Sequence, residues 1–243
     1  LIEQYIQEID ESLRLPAELP SDVIPTQQKL DFFYRSNVCF GRSALMLSGG
    51  GVLGFLHLGV VTELLRQGLL PRVISGSSAG SIVAAALAAY TDEEMTSLDL
   101  IGLMESGGAD AQGLIRQWLS AAGSRFTAND VEKLIEATIP DLTFGKAYAK
   151  TGRQVSITVA PAEPHQRSRL LNAVSSPNVF LRSAAMASCA IPGVFPAVML
   201  KAKNERGEAQ PYLPARRWVD GSVADDLPAK RLSRLFSTNH YIV

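Results

Sequence analysis

The chain has 243 residues, with 23 Lys and Arg against 24 Asp and Glu, a formal net charge of -1. Hydrophobic residues make up 47% and charged residues 19%, enough apolar mass for one large α/β domain with or without a short extension. This balance excludes a largely disordered chain and gives no electrostatic handle for nucleic acid or an anionic membrane.

Residues 1–14 place Leu1, Ile2, Tyr5, Ile6, Ile9 and Leu13 on one helical face against an acidic polar face, which predicts an amphipathic helix packed on protein. Pro16, Pro20 and Pro25 mark residues 15–28 as a linker, and the main domain is expected from about Gly41. Residues 1–40 therefore read as helix plus linker, and 41–243 as the catalytic domain. Ala44–Leu47 predicts a strand, Gly49–Gly51 a turn, Val52–Gln67 a helix, Pro71–Ser75 a second strand and Ser81–Tyr90 a buried helix. Strands alternating with helices imply a mainly parallel sheet in a layered α/β fold. Residues 92–150 read as mostly helical, clearest at Asp92–Leu103 and at Thr127–Ile139, where Thr127 is a candidate cap. Val155–Val159 and Arg217–Val219 predict strands, Phe180–Ala190 and Pro228–Phe236 helices, and Tyr241 opens another strand.

The longest apolar run, Ile82–Tyr90, is far short of the roughly 18 residues a membrane span needs. No secretory signal is read from Leu1 onward, and two cysteines, Cys39 and Cys189, form neither a disulfide framework nor a metal-ligand pattern. A cytoplasmic setting is expected, with no metal and no cofactor. The lack of an initiator Met and the apolar ending Tyr241-Ile242-Val243 fit a piece of a longer chain.

Three motifs carry chemistry. Gly76-Ser77-Ser78-Ala79-Gly80 lies between a strand and a helix, where a G-x-S-x-G elbow lifts a serine nucleophile to a helix N-terminus. A small-residue packing turn is the plainer alternative. Gly49-Gly50-Gly51-Val52-Leu53-Gly54 can aim successive amides at an oxyanion. Its spacing also resembles a dinucleotide fingerprint, although the second strand leads into the serine turn instead of an acidic residue. Asp220-Gly221-Ser222 places a carboxylate at a strand end, and by itself such a pair is most often a turn. Asp225 and Asp226 read as a helix N-terminal pair. Of the histidines, His57 suits packing or a local hydrogen bond, and His165 suits the surface. His240 alone stands in the Ser–Asp–His order of a triad.

Taken in order, the glycine turn, the Ser78 elbow and Asp220-Gly221 resemble the patatin-like phospholipase family. So do His57-Leu58-Gly59-Val60 and Ala187–Pro196. The likeness spans about Gly41 to Val243. It is closest to the fungal and plant triacylglycerol-lipase branch and its bacterial relatives, through Val73–Ser81 and Arg217–Ser222. Leu53 stands where many members carry Arg, and Ser222 where Gly or Ala is commoner, which weighs against phospholipase over neutral-lipid specificity. The resemblance implies a three-layer fold and a Ser78–Asp220 dyad without histidine. Gly49, Gly50 and Gly51 would hold the oxyanion, and Gly54, Gly76, Gly80 and Gly221 would complete the motifs. It implies a lipid acyl hydrolase, with transacylase and non-catalytic lipid-binding alternatives. It also implies a lipid ester substrate, peripheral contact with a membrane or lipid droplet, and no nucleic acid.

Overall fold

The computed structural model describes residues 1–97 and 127–243. The expected helix Asp92–Leu103 is seen as Asp92–Ser97, and the rest of it lies outside the described residues. The chain divides into two compact units, Leu1–Arg42 and Ser43–Val243.

The first unit holds two helices, Ile2–Glu18 and Thr26–Phe40. Residues 15–28 are therefore not linker throughout. Pro16 lies inside the first helix near its end, and Pro25 stands at the N-cap of the second. At a helix start the missing N–H of proline loses nothing, because the first turn has no intrahelical acceptors for its amides. Pro25 thus opens a helix instead of marking coil.

The second unit is built on strands β1 (Arg42–Leu47), β2 (Val73–Gly76), β3 (Gln154–Pro161), β4 (Arg169–Asn172), β7 (Trp218–Asp220) and β8 (Thr238–Ile242). Their order is β4-β3-β2-β1-β8, with β7 also paired to β3. The three central strands are parallel, with Leu47 beside Gly76 and Gly76 beside Ile157. Strands β4 and β7 run antiparallel to β3. A separate hairpin joins β5 (Lys201–Lys203) and β6 (Ala209–Pro211).

Side chains alternate across the sheet. Leu45, Leu47, Ile74, Val155 and Ile157 face one buried cluster, which includes residues of the helices Ala79–Ala89 and Leu181–Ser188. Ala44, Met46 and Val73 face the other, closed by Leu232 and Phe236 of the helix Ala229–Phe236. Helices therefore cover both faces, as the α/β reading expected. The helix Ala79–Ala89 is small enough, being mostly alanine, to lie buried along almost its whole length. Thr127 caps the helix Ala128–Thr138 through a reciprocal pair with Asp130, its side chain accepting the Asp130 N–H at 3.3 Å. Among the described residues no helix is long and apolar enough to cross a membrane.

Candidate active site

The sheet brings two chain segments end to end. Val159 of β3 pairs with Arg169 of β4 and also with Asp220 of β7, so β7 lies on the edge of β3 that β2 occupies. Strand β2 ends at Gly76, beside Ile157, and Asp220 sits beside Val159 two residues further on. Ser78 is also two residues beyond Gly76. The carboxyl end of β2 and that of β7 therefore converge at the same level of the sheet, with Ser78 on one and Asp220 on the other.

Ser78 has φ 49° and ψ -125°, a left-handed backbone that a non-glycine residue adopts at a cost of about 1–3 kcal/mol. It stands at the N-cap of the helix Ala79–Ala89, whose dipole favours negative charge there. The turn is this sharp because Gly80 presses on β1, where a Cβ would collide with the Leu47 carbonyl. Gly76 in turn lies against Gly80, and Gly54 against Ala79. Gly221 presses on the Thr158 carbonyl in the same way, which seats the Asp220 turn on β3. Asp220 is buried, and its Oδ1 accepts the Ser222 N–H at 2.9 Å. A Cβ placed on Gly49 would lie 3.3 Å from Ser78 Cβ and 3.2 Å from Ser222 Cβ, so the glycine turn, the elbow and the Asp220 turn share one point.

Three consecutive residues hold this meeting in place. Ser188 Oγ accepts the Ser78 N–H at 2.9 Å and donates to the Thr158 carbonyl at 2.8 Å. Cys189 Sγ donates to the Ser78 carbonyl at 3.3 Å, an oxygen that also accepts from Ser81 Oγ at 2.6 Å. The Ala190 carbonyl accepts the Asp220 N–H at 2.9 Å. Burial pushes the Cys189 thiol up to about 12, the Asp220 charge adding to this and the hydrogen bond with Ser81 opposing it. Cys189 is thus a neutral donor in the clamp, a role that its apolar sequence context alone did not reveal. Ser188 was equally hidden, since only the fold brings it to Ser78.

The glycine turn departs from expectation at its first residue. The Gly49 N–H donates to Asp226 Oδ1 at 2.8 Å, and the Asp226 carbonyl accepts Ser77 Oγ at 3.1 Å. Asp226 is therefore no helix N-terminal residue; it ties the glycine turn to the elbow, while Asp225 pairs with Arg231 at 3.2 Å. The Gly50 and Gly51 amides have no acceptor among the described residues. His57 Nε2 donates to the Ser48 carbonyl at 3.0 Å, a local hydrogen bond as expected, and His165 is exposed. His240 Nδ1 shares a 2.8 Å hydrogen bond with Ser43, at the start of β1. Ser43 lies four residues before Leu47, so the His240 ring is at the far end of the strand, about 13 Å along it from the elbow at 3.3 Å per residue.

A mostly parallel sheet with helices on both faces, a strained serine at a strand-to-helix turn and a buried aspartate at the end of β7 define a layered α/β chain. The profile of the patatin-like phospholipase family matches residues 45–232, and the chain belongs to that family. It is 37% identical over its whole length to the triacylglycerol lipase SDP1L of Arabidopsis thaliana, covering 32% of that protein. It is 36% identical, again over its whole length, to a patatin-like phospholipase domain-containing protein of Yarrowia lipolytica, covering 30% of it. The chain thus spans about a third of the length of these curated relatives. Among solved structures it is similar to VipD from Legionella pneumophila, with a TM-score of 0.44 at 18% identity over 77% of this chain and 47% of that one.

Proposed function

We propose that this domain is a lipid acyl hydrolase that works through an acyl-enzyme on Ser78. The observation that carries the reading is the convergence of the strained Ser78 and the buried Asp220 at the carboxyl ends of β2 and β7. In this reading Asp220 takes the Ser78 proton as Ser78 Oγ attacks the ester carbonyl. The negative charge moves to the carbonyl oxygen, where the Gly50 and Gly51 amides receive it. Each such donor contributes about 3 kcal/mol to the transition state. Asp220 then gives its proton to the leaving alcohol, and next draws one from the water that cleaves the acyl-enzyme. Gly49 leaves the donor set, because its amide already serves Asp226.

The likeness to a triacylglycerol lipase and the exposed apolar side chains on the segments that follow the site's turns support a water-insoluble ester as substrate. Leu53 and Leu56 follow the glycine turn, Val194 follows the clamp, and Val223 follows the Asp220 turn; all are at least 66% exposed. Such a rim suits peripheral contact with a lipid surface. The test is fatty-acid release from trioleoylglycerol, phosphatidylcholine and lysophosphatidylcholine by wild type and Ser78→Ala. Release from at least one of them, lost in Ser78→Ala, supports the reading. Equal release by both proteins, or none from any lipid, contradicts it.

A further inference from the structure

Ser222 stands beside Ser78, and the reaction described above leaves its hydroxyl without a task. A Cβ placed on Gly49 would lie 3.3 Å from Ser78 Cβ and 3.4 Å from Ser222 Oγ. The two serine side chains therefore close on the same point, and a glycine at 49 leaves room between them. Ser222 is fixed in place by its own backbone. Its N–H donates to Asp220 Oδ1 at 2.9 Å. The Gly221 carbonyl before it accepts the Ala224 and Asp225 N–H groups at 3.0 and 2.9 Å, which winds the short helix Ser222–Asp225. Gly221 itself rests on the Thr158 carbonyl. Ser222 Oγ, by contrast, has no hydrogen-bond partner among the described residues. The residue is half-buried, and Val223 and Ala224 after it are exposed.

A serine hydroxyl offers one donor and two acceptor sites, and its neighbours decide which substrate atom it meets. In the proposed reaction the Gly50 and Gly51 amides serve the carbonyl oxygen and Asp220 serves the alcohol oxygen. Ser222 belongs to the Asp220 side, because its N–H bonds that carboxylate. The exposed residues that follow it open this side to solvent, as a departing alcohol requires. We propose that Ser222 is a further catalytic residue, whose hydroxyl donates a hydrogen bond to the alcohol oxygen of the ester. This rests on Ser78 being the acyl acceptor. When Ser78 Oγ has bonded to the acyl carbon, the bond to the alcohol oxygen breaks, its electron pair moves onto that oxygen, and the proton held by Asp220 joins it. Ser222 keeps its own proton throughout. Its hydrogen bond strengthens as negative charge grows on the leaving oxygen, so it acts on the transition state more than on the bound ester. In the second half of the cycle the attacking water takes the place of the alcohol, and the same hydroxyl orients it.

The experiment compares two esters of one fatty acid, glyceryl monooctanoate and p-nitrophenyl octanoate, with wild type, Ser222→Ala, Ser222→Gly and Ser78→Ala, each checked for folding by a thermal melt. For both esters kcat/KM reports the acylation half-reaction, in which the alcohol departs. p-Nitrophenol is a far stronger acid than glycerol, so its anion leaves with little need of a donor. The ratio of kcat/KM on the glyceryl ester to that on the p-nitrophenyl ester is expected to fall at least five-fold in both Ser222 variants. A residue that only shaped the site, or that served the carbonyl oxygen, would lower both esters alike and leave the ratio in place. A ratio within about two-fold of wild type in both variants, with Ser78→Ala inactive, therefore overturns the role of Ser222 alone. Wild-type turnover by Ser78→Ala overturns the underlying reading instead.

Discussion

Ser188 Oγ accepts the Ser78 backbone N–H at 2.9 Å and donates its own O–H to the Thr158 carbonyl, the oxygen on which Gly221 rests. One buried hydroxyl thereby links the elbow to the strand that seats Asp220. The strained φ of Ser78 persists because its N–H and its carbonyl are both held, the first by Ser188 and the second by Ser81 and Cys189.

Ser188→Ala leaves the Ser78 N–H and the Thr158 carbonyl without this partner. Small misplacements of a nucleophile cost about 10²-fold, so kcat is expected to fall by about 10- to 100-fold with KM little changed. Ser188→Thr, which keeps the hydroxyl, restores part of the loss. Steady-state kinetics on a short ester, beside a thermal melt to confirm folding, check this.

Asp226 fixes the glycine turn through the Gly49 amide and the elbow through Ser77. Asp226→Ala frees the turn, and kcat is expected to fall by about ten-fold or more. Asp226→Asn keeps an acceptor oxygen and should recover most of the activity. Wild-type kcat in a folded Asp226→Ala protein would remove the positioning role of the side chain.

His240 is engaged at the start of β1, away from Ser78. A dyad of Ser78 and Asp220 therefore gives a pH–rate profile without a histidine limb near about pH 6.5. His240→Ala should keep near wild-type kcat/KM, whereas Asp220→Asn should lose at least 10³-fold. Inactivity of a folded His240→Ala protein would speak for a triad.

The Cys189 thiol, raised from 9.0 to about 12 by burial, makes an alkaline prediction. Above about pH 9 the unfolded chain releases this proton and the folded chain keeps it, so stability declines as pH rises towards 12. Urea midpoints measured from pH 8 to 11 should fall, and Cys189→Ala should flatten part of that slope. Iodoacetamide should leave Cys189 unmodified in the folded protein.

The local signals were legible where they are local. Glycines that admit a sharp turn, alternating apolar strands and the cap at Thr127 each depend on near neighbours in the chain, and the layered α/β order follows from them. The two-residue offset that brings Ser78 level with Asp220 depends on strand register, which no local pattern carries. The same holds for Ser188 and Cys189, which meet Ser78 from 110 and 111 residues away, and for Asp226, 177 residues from Gly49. Prolines misled at residues 15–28, because Pro25 serves there as a helix start. The oxyanion reading of the glycine turn was legible as a set of amides. That one of them is already taken by a carboxylate is a tertiary fact.

The central claim, that Ser78 is an activated nucleophile, is tested most directly by reacting the folded protein with a fluorophosphonate and mapping the adduct by peptide mass spectrometry. One adduct per chain, on Ser78, with hydrolysis lost in proportion to labelling, is the expected result. A folded protein that stays unlabelled, or that hydrolyses lipid esters while its adduct lies elsewhere, would contradict the account.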